Sequence, residues 1–163
     1  GDTPLAETIG ALEALREAGK IRAWGVSNFD HDDLDEVEAI APGQVAANQV
    51  LYHLLDRAIE HTVIPWCEQR GVAVVAYSPF GSSDGFPRKE SFGDLPERLG
   101  GTPRQLALAY LTRRPSVLAI PKAARVAHVE ELAGADRVTL DSASIAAIEA
   151  RFPLAPWRGL PMS

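Results

Sequence analysis

Gly19-Lys20-Ile21-Arg22-Ala23-Trp24-Gly25-Val26-Ser27-Asn28-Phe29 holds the strongest fold signal in the chain. Gly19 stops whatever precedes it, Ile21 to Val26 form a short apolar run, and the polar pair Ser27-Asn28 closes that run. An apolar run of this length between turn residues reads as a buried strand. Upstream, Leu5, Ile9, Leu12 and Leu15 recur at helical spacing. Thr3-Pro4 before them reads as an N-cap with proline at the first helical position. Downstream, Asp30, Asp32 and Asp33 open a second helix, where carboxylates favour the positive end of the helix dipole. Leu34, Val37 and Ile40 form its inward stripe, and Pro42-Gly43 ends it.

The alternation continues along the chain. Val45 to Val50 reads as a second strand carrying the polar pair Asn48-Gln49, and a helix follows from Arg57 to Arg70, with Pro65 predicted to interrupt or kink it. Val72 to Tyr77 is the clearest strand. Ser78 to Gly101 reads as a long Gly-, Ser- and Pro-rich loop, a length that marks function or mobility. Thr102-Pro103 caps a helix through Leu111, Val117 to Ile120 is a fourth strand, and Pro121-Lys122 ends it. A helix from Arg125 to Ala133 and one capped by Asp141, with Ile145, Ile148 and Phe152 on one face, complete the pattern. Residues 153–163 read as an irregular tail of a single domain, 1–163. Short apolar strands alternating with amphipathic helices predict an α/β fold with a parallel sheet and outer helices. An open doubly wound sheet and part of a (β/α)8 barrel both satisfy the pattern. No G-x-G-x-x-G turn follows a strand, which counts against the dinucleotide-binding form of the doubly wound sheet.

Composition narrows the function. With 46% hydrophobic residues the chain can bury a core, which argues against disorder. A net charge of −6 without a basic cluster disfavours nucleic acid and anionic membranes as partners. No apolar run approaches the roughly 18 residues of a membrane span. Cys67 stands alone, and His31, His53, His61 and His128 lack ligand spacing, so neither an internal disulfide nor a metal site is expected. The first residues show no basic and apolar leader pattern, so a cytoplasmic location is expected.

The polar residues fall at the C-terminal ends of the predicted strands: Ser27-Asn28, Asn48-Gln49, Tyr77-Ser78 and Lys122. In a parallel β/α barrel that end is the active-site face. Amides donate and accept, an aromatic face stacks, and hydroxyls with a cation suit phosphate. Each pair alone fits a turn or a helix cap equally well. Tyr77 alone reads as core, and Lys122 alone as a solvated lysine.

Together these segments resemble the aldo-keto reductase family. Gly19 to Phe29 is similar to its strand 5, and Asn48-Gln49-Val50-Leu51-Tyr52-His53 to its strand 6. Val74-Val75-Ala76-Tyr77-Ser78-Pro79-Phe80-Gly81-Ser82 resembles strand 7 and its loop. Thr102-Pro103 through Leu111 resembles the helix before strand 8, and Ala119-Ile120-Pro121-Lys122 resembles strand 8 itself. The resemblance implies the C-terminal half of a (β/α)8 barrel that binds NADP, with NAD possible. It assigns Ser27, Asn28 and Gln49 to the nicotinamide carboxamide and Tyr77 to stacking on the ring. Ser78, Phe80 and Ser82 would line the pyrophosphate path, Lys122 would face the adenosine 2′-phosphate, and Glu131 would contact adenine. The sequence departs from the family at Ala123, usually Ser or Thr, at His128, usually an arginine gripping the 2′-phosphate, and at Leu132, usually an adenine-contacting asparagine. Histidine lacks the fixed charge and fork of arginine, so weaker discrimination between NADP and NAD is expected, with Arg125 compensating in part.

The family reduces carbonyls with an Asp, Tyr, Lys and His tetrad carried on strands 1 to 4, which the resemblance places upstream of residue 1. The catalytic residues are therefore unassigned. Tyr52 or His53 is a conceivable substitute acid, although a packed or loop role suits each better, and Asp56 reads as a helix cap. Carbonyl reduction of a small aldehyde or ketone is expected to be weak or to need a complementing half. The competing reading is an inactive cofactor-binding or self-assembling fragment. A half barrel leaves strand edges and an inner face open, so a homodimer or higher homo-oligomer is expected.

Overall fold

The computed structural model describes residues 3–81 and 85–160. Helix α1 (Leu5–Glu17) leads to strand β1 (Trp24–Ser27), helix α2 (His31–Ile40), strand β2 (Val45–Leu51), helix α3 (Val63–Arg70) and strand β3 (Ala73–Tyr77). Then come the short helix α4 (Leu95–Leu99), helix α5 (Pro103–Leu111), strand β4 (Val117–Ala119), helix α6 (Val126–Ala133) and helix α7 (Ser142–Arg151). The four strands form one sheet in the order β1-β2-β3-β4, and all three pairings are parallel.

The caps explain why the helices start where they do. Asp30 accepts from the backbone N–H groups of Asp32 and Asp33, and Asp33 answers by accepting from the N–H of Asp30. Thr102 and Gln105 make the same reciprocal pair at α5. Asp141 accepts from the N–H of Ser144 at α7. Each such cap is worth about 1 kcal/mol. Thr3 departs from its expected role: α1 begins at Leu5, Pro4 takes the N-cap position, and no side chain caps it.

Three further boundaries differ from the sequence reading. Strand β1 begins at Trp24 rather than Ile21: its ladder with β2 runs from Trp24 to Ser27, with a register shift between Trp24 and Gly25. The helix expected over 57–70 divides into a 3-10 turn at Ala58–Glu60 and α3. Pro65 is the third residue of α3, where the backbone N–H would have no intrahelical partner, so it introduces no kink. The long segment after β3 is not featureless, since it holds a 3-10 turn (Lys89–Phe92) and α4. Residues 153–160 carry no helix or strand.

The core lies between one face of the sheet and the helices. Val50, Val74, Ala76 and Val117 pack there with Leu34, Val37, Ile64, Cys67, Leu106 and Tyr110. Burial also pushes the Cys67 thiol up to about 12, so it stays a protonated apolar filler. Indole N–H groups tie the layers: Trp24 donates to Glu13 of α1, and Trp66 of α3 donates to Asp35 of α2 at 2.6 Å. The opposite face is uncovered. Ser27, Gln49, Val75 and Leu118 form one row across all four strands, and Leu118 is 56% exposed. No helix among the described residues is long and apolar enough to cross a membrane.

A buried ionic cluster joins the outer helices. Arg57 donates from Nε and Nη2 to Glu60, each at 3.0 Å, and from Nη1 to the Phe152 carbonyl at 2.8 Å. The Tyr52 hydroxyl donates to Glu60 at 2.6 Å and accepts from Arg113 at 3.1 Å. Arg113 also covers the Tyr110 ring at 3.7 Å. Tyr52 is fully buried here, and desolvation with the Glu60 charge drives its phenol pKa upward. It is a strut in the helix layer, which removes it as a substitute acid. His53 is buried as well, paired through its backbone with Asp56. Asp56 caps the turn as expected, accepting from the N–H of Ala58.

Candidate functional site

The rim at the C-terminal strand ends is built from two strained turns. Asn28, just after β1, and Ser78, just after β3, have φ of 58° and 47°, and they are the only described non-glycine residues with positive φ. Left-handed backbone costs a side-chain-bearing residue about 1–3 kcal/mol and concentrates at functional positions. The first turn is held by the Gln49 carbonyl, which accepts from the Asn28 N–H at 2.9 Å and from the Ser27 hydroxyl at 3.0 Å. Ser27 and Gln49 are register partners, and both side chains are exposed on the open face.

Asn48 belongs to a different job. It is fully buried, donates to the Phe29 carbonyl at 2.8 Å and accepts from the Phe29 N–H. It clamps the β1–α2 turn and leaves Gln49 as the amide at the surface. Gly25 permits the close approach of the two strands, because a Cβ there would lie 2.5 Å from the Ala47 carbonyl oxygen.

On the third strand Tyr77 is half-buried and pairs with Leu51. Beyond it, the Gly81 N–H donates to the Ser78 carbonyl at 2.8 Å and tightens the turn. Ser78, Phe80 and Lys122 line one hollow with Ile120. Phe80, Lys122, His128 and Glu131 line the next, a cavity of about 320 Å³ shared with Arg104 and Leu132. Five of the expected residues, Ser78, Phe80, Lys122, His128 and Glu131, thus fall along one path, with Phe80 and Lys122 common to both hollows. Arg125 lines neither; it is exposed at the N-cap of α6. Ser82 lies outside the described residues.

Glu131 is positioned by α5. It accepts from the Thr102 hydroxyl at 2.9 Å, and its carbonyl accepts from Gln105 at 2.7 Å. The capping box of α5 therefore also aligns α6. Arg104, the second residue of α5, has no counterpart in the sequence reading. Its guanidinium lies 5.8 Å from the Phe80 ring centre and 5.2 Å from that of Phe86. The signal for it in the sequence is slight: an arginine in the first turn of a helix, where the dipole disfavours a cation. Asp30, His31 and Asp32 bring ligand atoms within 4.8 Å of one another, but Asp30 is already engaged as the α2 cap.

A parallel β/α sheet that gathers amides, hydroxyls, an aromatic ring and a lysine at the strands' C-terminal ends has the construction of a barrel-type ligand site. The chain belongs to the aldo/keto reductase family, whose model matches residues 1–151. It is 39% identical over 158 residues to methylglyoxal reductase YeaE of Escherichia coli (strain K12), covering 94% of this chain and 56% of that protein. It superposes with a TM-score of 0.90 and 40% identity on an aldo-keto reductase from Klebsiella pneumoniae in complex with NADPH, covering all of this chain and 60% of that one. A second Klebsiella pneumoniae structure, in complex with NADP and acetate, gives 0.87 and 39%, again over 60% of its chain. The chain spans about half the length of the curated relatives it matches.

Proposed function

We propose that this chain forms the NADP(H)-binding half of an aldo-keto reductase, the C-terminal half of the barrel, acting in the cytoplasm on small aldehydes or ketones. The observation that carries this reading is the convergence of Ser27, Gln49, Tyr77, Ser78 and Lys122 on one rim, in a fold that superposes on an NADPH complex. Ser27, Asn28 and Gln49 would bind the carboxamide, and Tyr77 would stack on the nicotinamide. Ser78, Phe80 and Ser82 would line the pyrophosphate path. Lys122 and His128 would face the ribose phosphate, with Arg125 adding positive charge nearby, and Glu131 would contact adenine. The two hollows suit an elongated phosphorylated ligand, since they meet at Lys122 and offer an aromatic wall at Phe80. The bound cofactor supplies hydride; these side chains bind and orient it. Proton delivery to the carbonyl oxygen falls to residues of a complementing half, so turnover by this chain alone is weak.

Titration with NADPH, followed by quenching of Trp24, Trp66 and Trp157, tests the reading. Saturable binding is expected, and Lys122→Ala is expected to weaken it about tenfold, the effect of losing one charge-assisted phosphate contact. An unchanged Kd in the variant would refute the assigned pose.

The open face supports a second element of the proposal, self-association. The apolar end of the uncovered row, Leu118 at 56% exposure with Ile120 at 48%, is a surface of the kind that seeks a partner. Sedimentation at micromolar concentration is expected to show a homodimer or larger species. A compact monomer would overturn this element and leave the cofactor site standing. The competing reading, an inactive binding or self-assembling fragment, is favoured if NADPH binds but no simple aldehyde is consumed.

A further inference from the structure

The cavity between Phe80 and α6 contains a cation whose placement is unusual. Arg104 sits at the start of α5, where the helix dipole opposes positive charge. No carboxylate among the described residues pairs with it. Glu131, the acidic group in the same cavity, is turned to the Thr102 hydroxyl. The guanidinium is held instead by two rings, Phe80 and Phe86, which meet edge to face at 5.5 Å. Phe86 stacks in turn on Phe92, which is fully buried and packs on Phe152. Arg104 therefore rests on an aromatic column footed in the core. A cation over ring faces gains about 0.5–1 kcal/mol at an exposed site and keeps its N–H fork free to donate.

We infer that Arg104 is a specificity-determining residue that, with Lys122, binds the 2′-phosphate of NADP(H) in this cavity. The inference rests on the function proposed above. A phosphate monoester carries close to two negative charges and wants planar, bidentate donors. His128, on the α6 side of the cavity, offers neither fixed charge nor fork. Arg104 reaches the cavity from α5 and supplies both, restoring discrimination that His128 forgoes. Arg125, which lines no part of the cavity, does not fill this role.

The test compares NADPH and NADH binding to the chain and to Arg104→Ala, Arg104→Gln and Arg104→Lys. The wild-type chain is expected to prefer NADPH. Arg104→Ala and Arg104→Gln are expected to weaken NADPH about tenfold while NADH changes less than about twofold. Gln keeps a planar polar group over the rings without charge, so loss in Gln alone carries the inference if Ala fails to fold. Lys is expected to recover part of the loss, and added salt is expected to narrow the NADPH–NADH gap more in the wild type than in Arg104→Ala, where only Lys122 still faces the phosphate. Equal weakening of both dinucleotides would make Arg104 a prop for Phe80 and overturn the inference; so would no change in either. A wild-type chain that binds neither dinucleotide defeats the function itself. A chain that binds NADPH through Lys122 but is indifferent to Arg104 defeats only this assignment.

Discussion

Glu60→Ala is expected to destabilise the chain by about 3–5 kcal/mol, the cost of stranding buried charge. For a chain of this size that lowers Tm by about 6–20 °C. The Glu60 side chain is only 7% exposed and takes hydrogen bonds from Tyr52, Arg57 and Arg113. Its loss leaves two guanidinium groups in the helix layer with Glu149, at 3.7 and 3.8 Å, as their one remaining carboxylate among the described residues. The pH dependence has a definite sign. Burial works against ionisation of Glu60, but the hydrogen bonds from Tyr52 and Arg57 and the charges of Arg57 and Arg113 outweigh it. The folded pKa therefore lies below the ordinary 4.5. A depressed carboxylate stabilises fully above its unfolded pKa and loses that contribution as pH falls through the folded one. Melting curves of the wild type are expected to drop from about pH 4.5 downward. Glu60→Gln is expected to flatten that drop. A Tm loss under about 2 °C in Glu60→Ala, less than 1 kcal/mol, would show that the cluster contributes little.

The second large effect is expected at Phe92. This ring is fully buried, stacks on Phe86 at 5.7 Å and tilts against Phe152 at 5.1 Å. Truncation to alanine is expected to cost about 3–5 kcal/mol, since the lost contacts come with a cavity that cannot collapse. Phe92→Leu, which refills most of the space, is expected to cost less than half as much. Urea denaturation monitored by circular dichroism measures both. Phe92→Ala should also loosen the column under Arg104, so its NADPH affinity is expected to fall further than NADH affinity. A cost below about 1 kcal/mol would mean that the segment after β3 is anchored elsewhere.

Much of this architecture was legible in the sequence for reasons that are local. Asp30, Thr102 and Asp141 are capping residues whose hydrogen bonds reach only two or three positions ahead. Strand β3 is an unbroken apolar run and was readable from composition alone. Where the sequence misled, a long-range partner was responsible. Ile21 and Ala23 extend the apolar character of β1 upstream, but the ladder with β2 holds only from Trp24 onward. Asn48 and Gln49 look equivalent as neighbours in sequence; the pleat sends one to Phe29 and the other to the open face. The position of Ser27, Gln49 and Ser78 at strand ends is readable, because periodicity locates the strands. The position of Arg104 is not, because it depends on Phe86, eighteen positions earlier in the chain. Arg113 joins the Tyr52–Glu60 pair from 61 and 53 residues away, and is illegible for the same reason.

The strand order β1-β2-β3-β4 also has a kinetic meaning. Every strand pairs only with its nearest neighbours in the chain, so no long loop must close before the first pairing is rewarded. The sheet can assemble as a zipper, each β/α unit docking on the one already emerged from the ribosome. Among the helices around the sheet α6 is loosely secured, since it buries no residue of its own and Val126 on it is 75% exposed. The β/α unit that completes the cavity between Phe80 and α6 is thus the last of the four to dock. In such a zipper, a ligand held between Phe80 and α6 would act as the clasp.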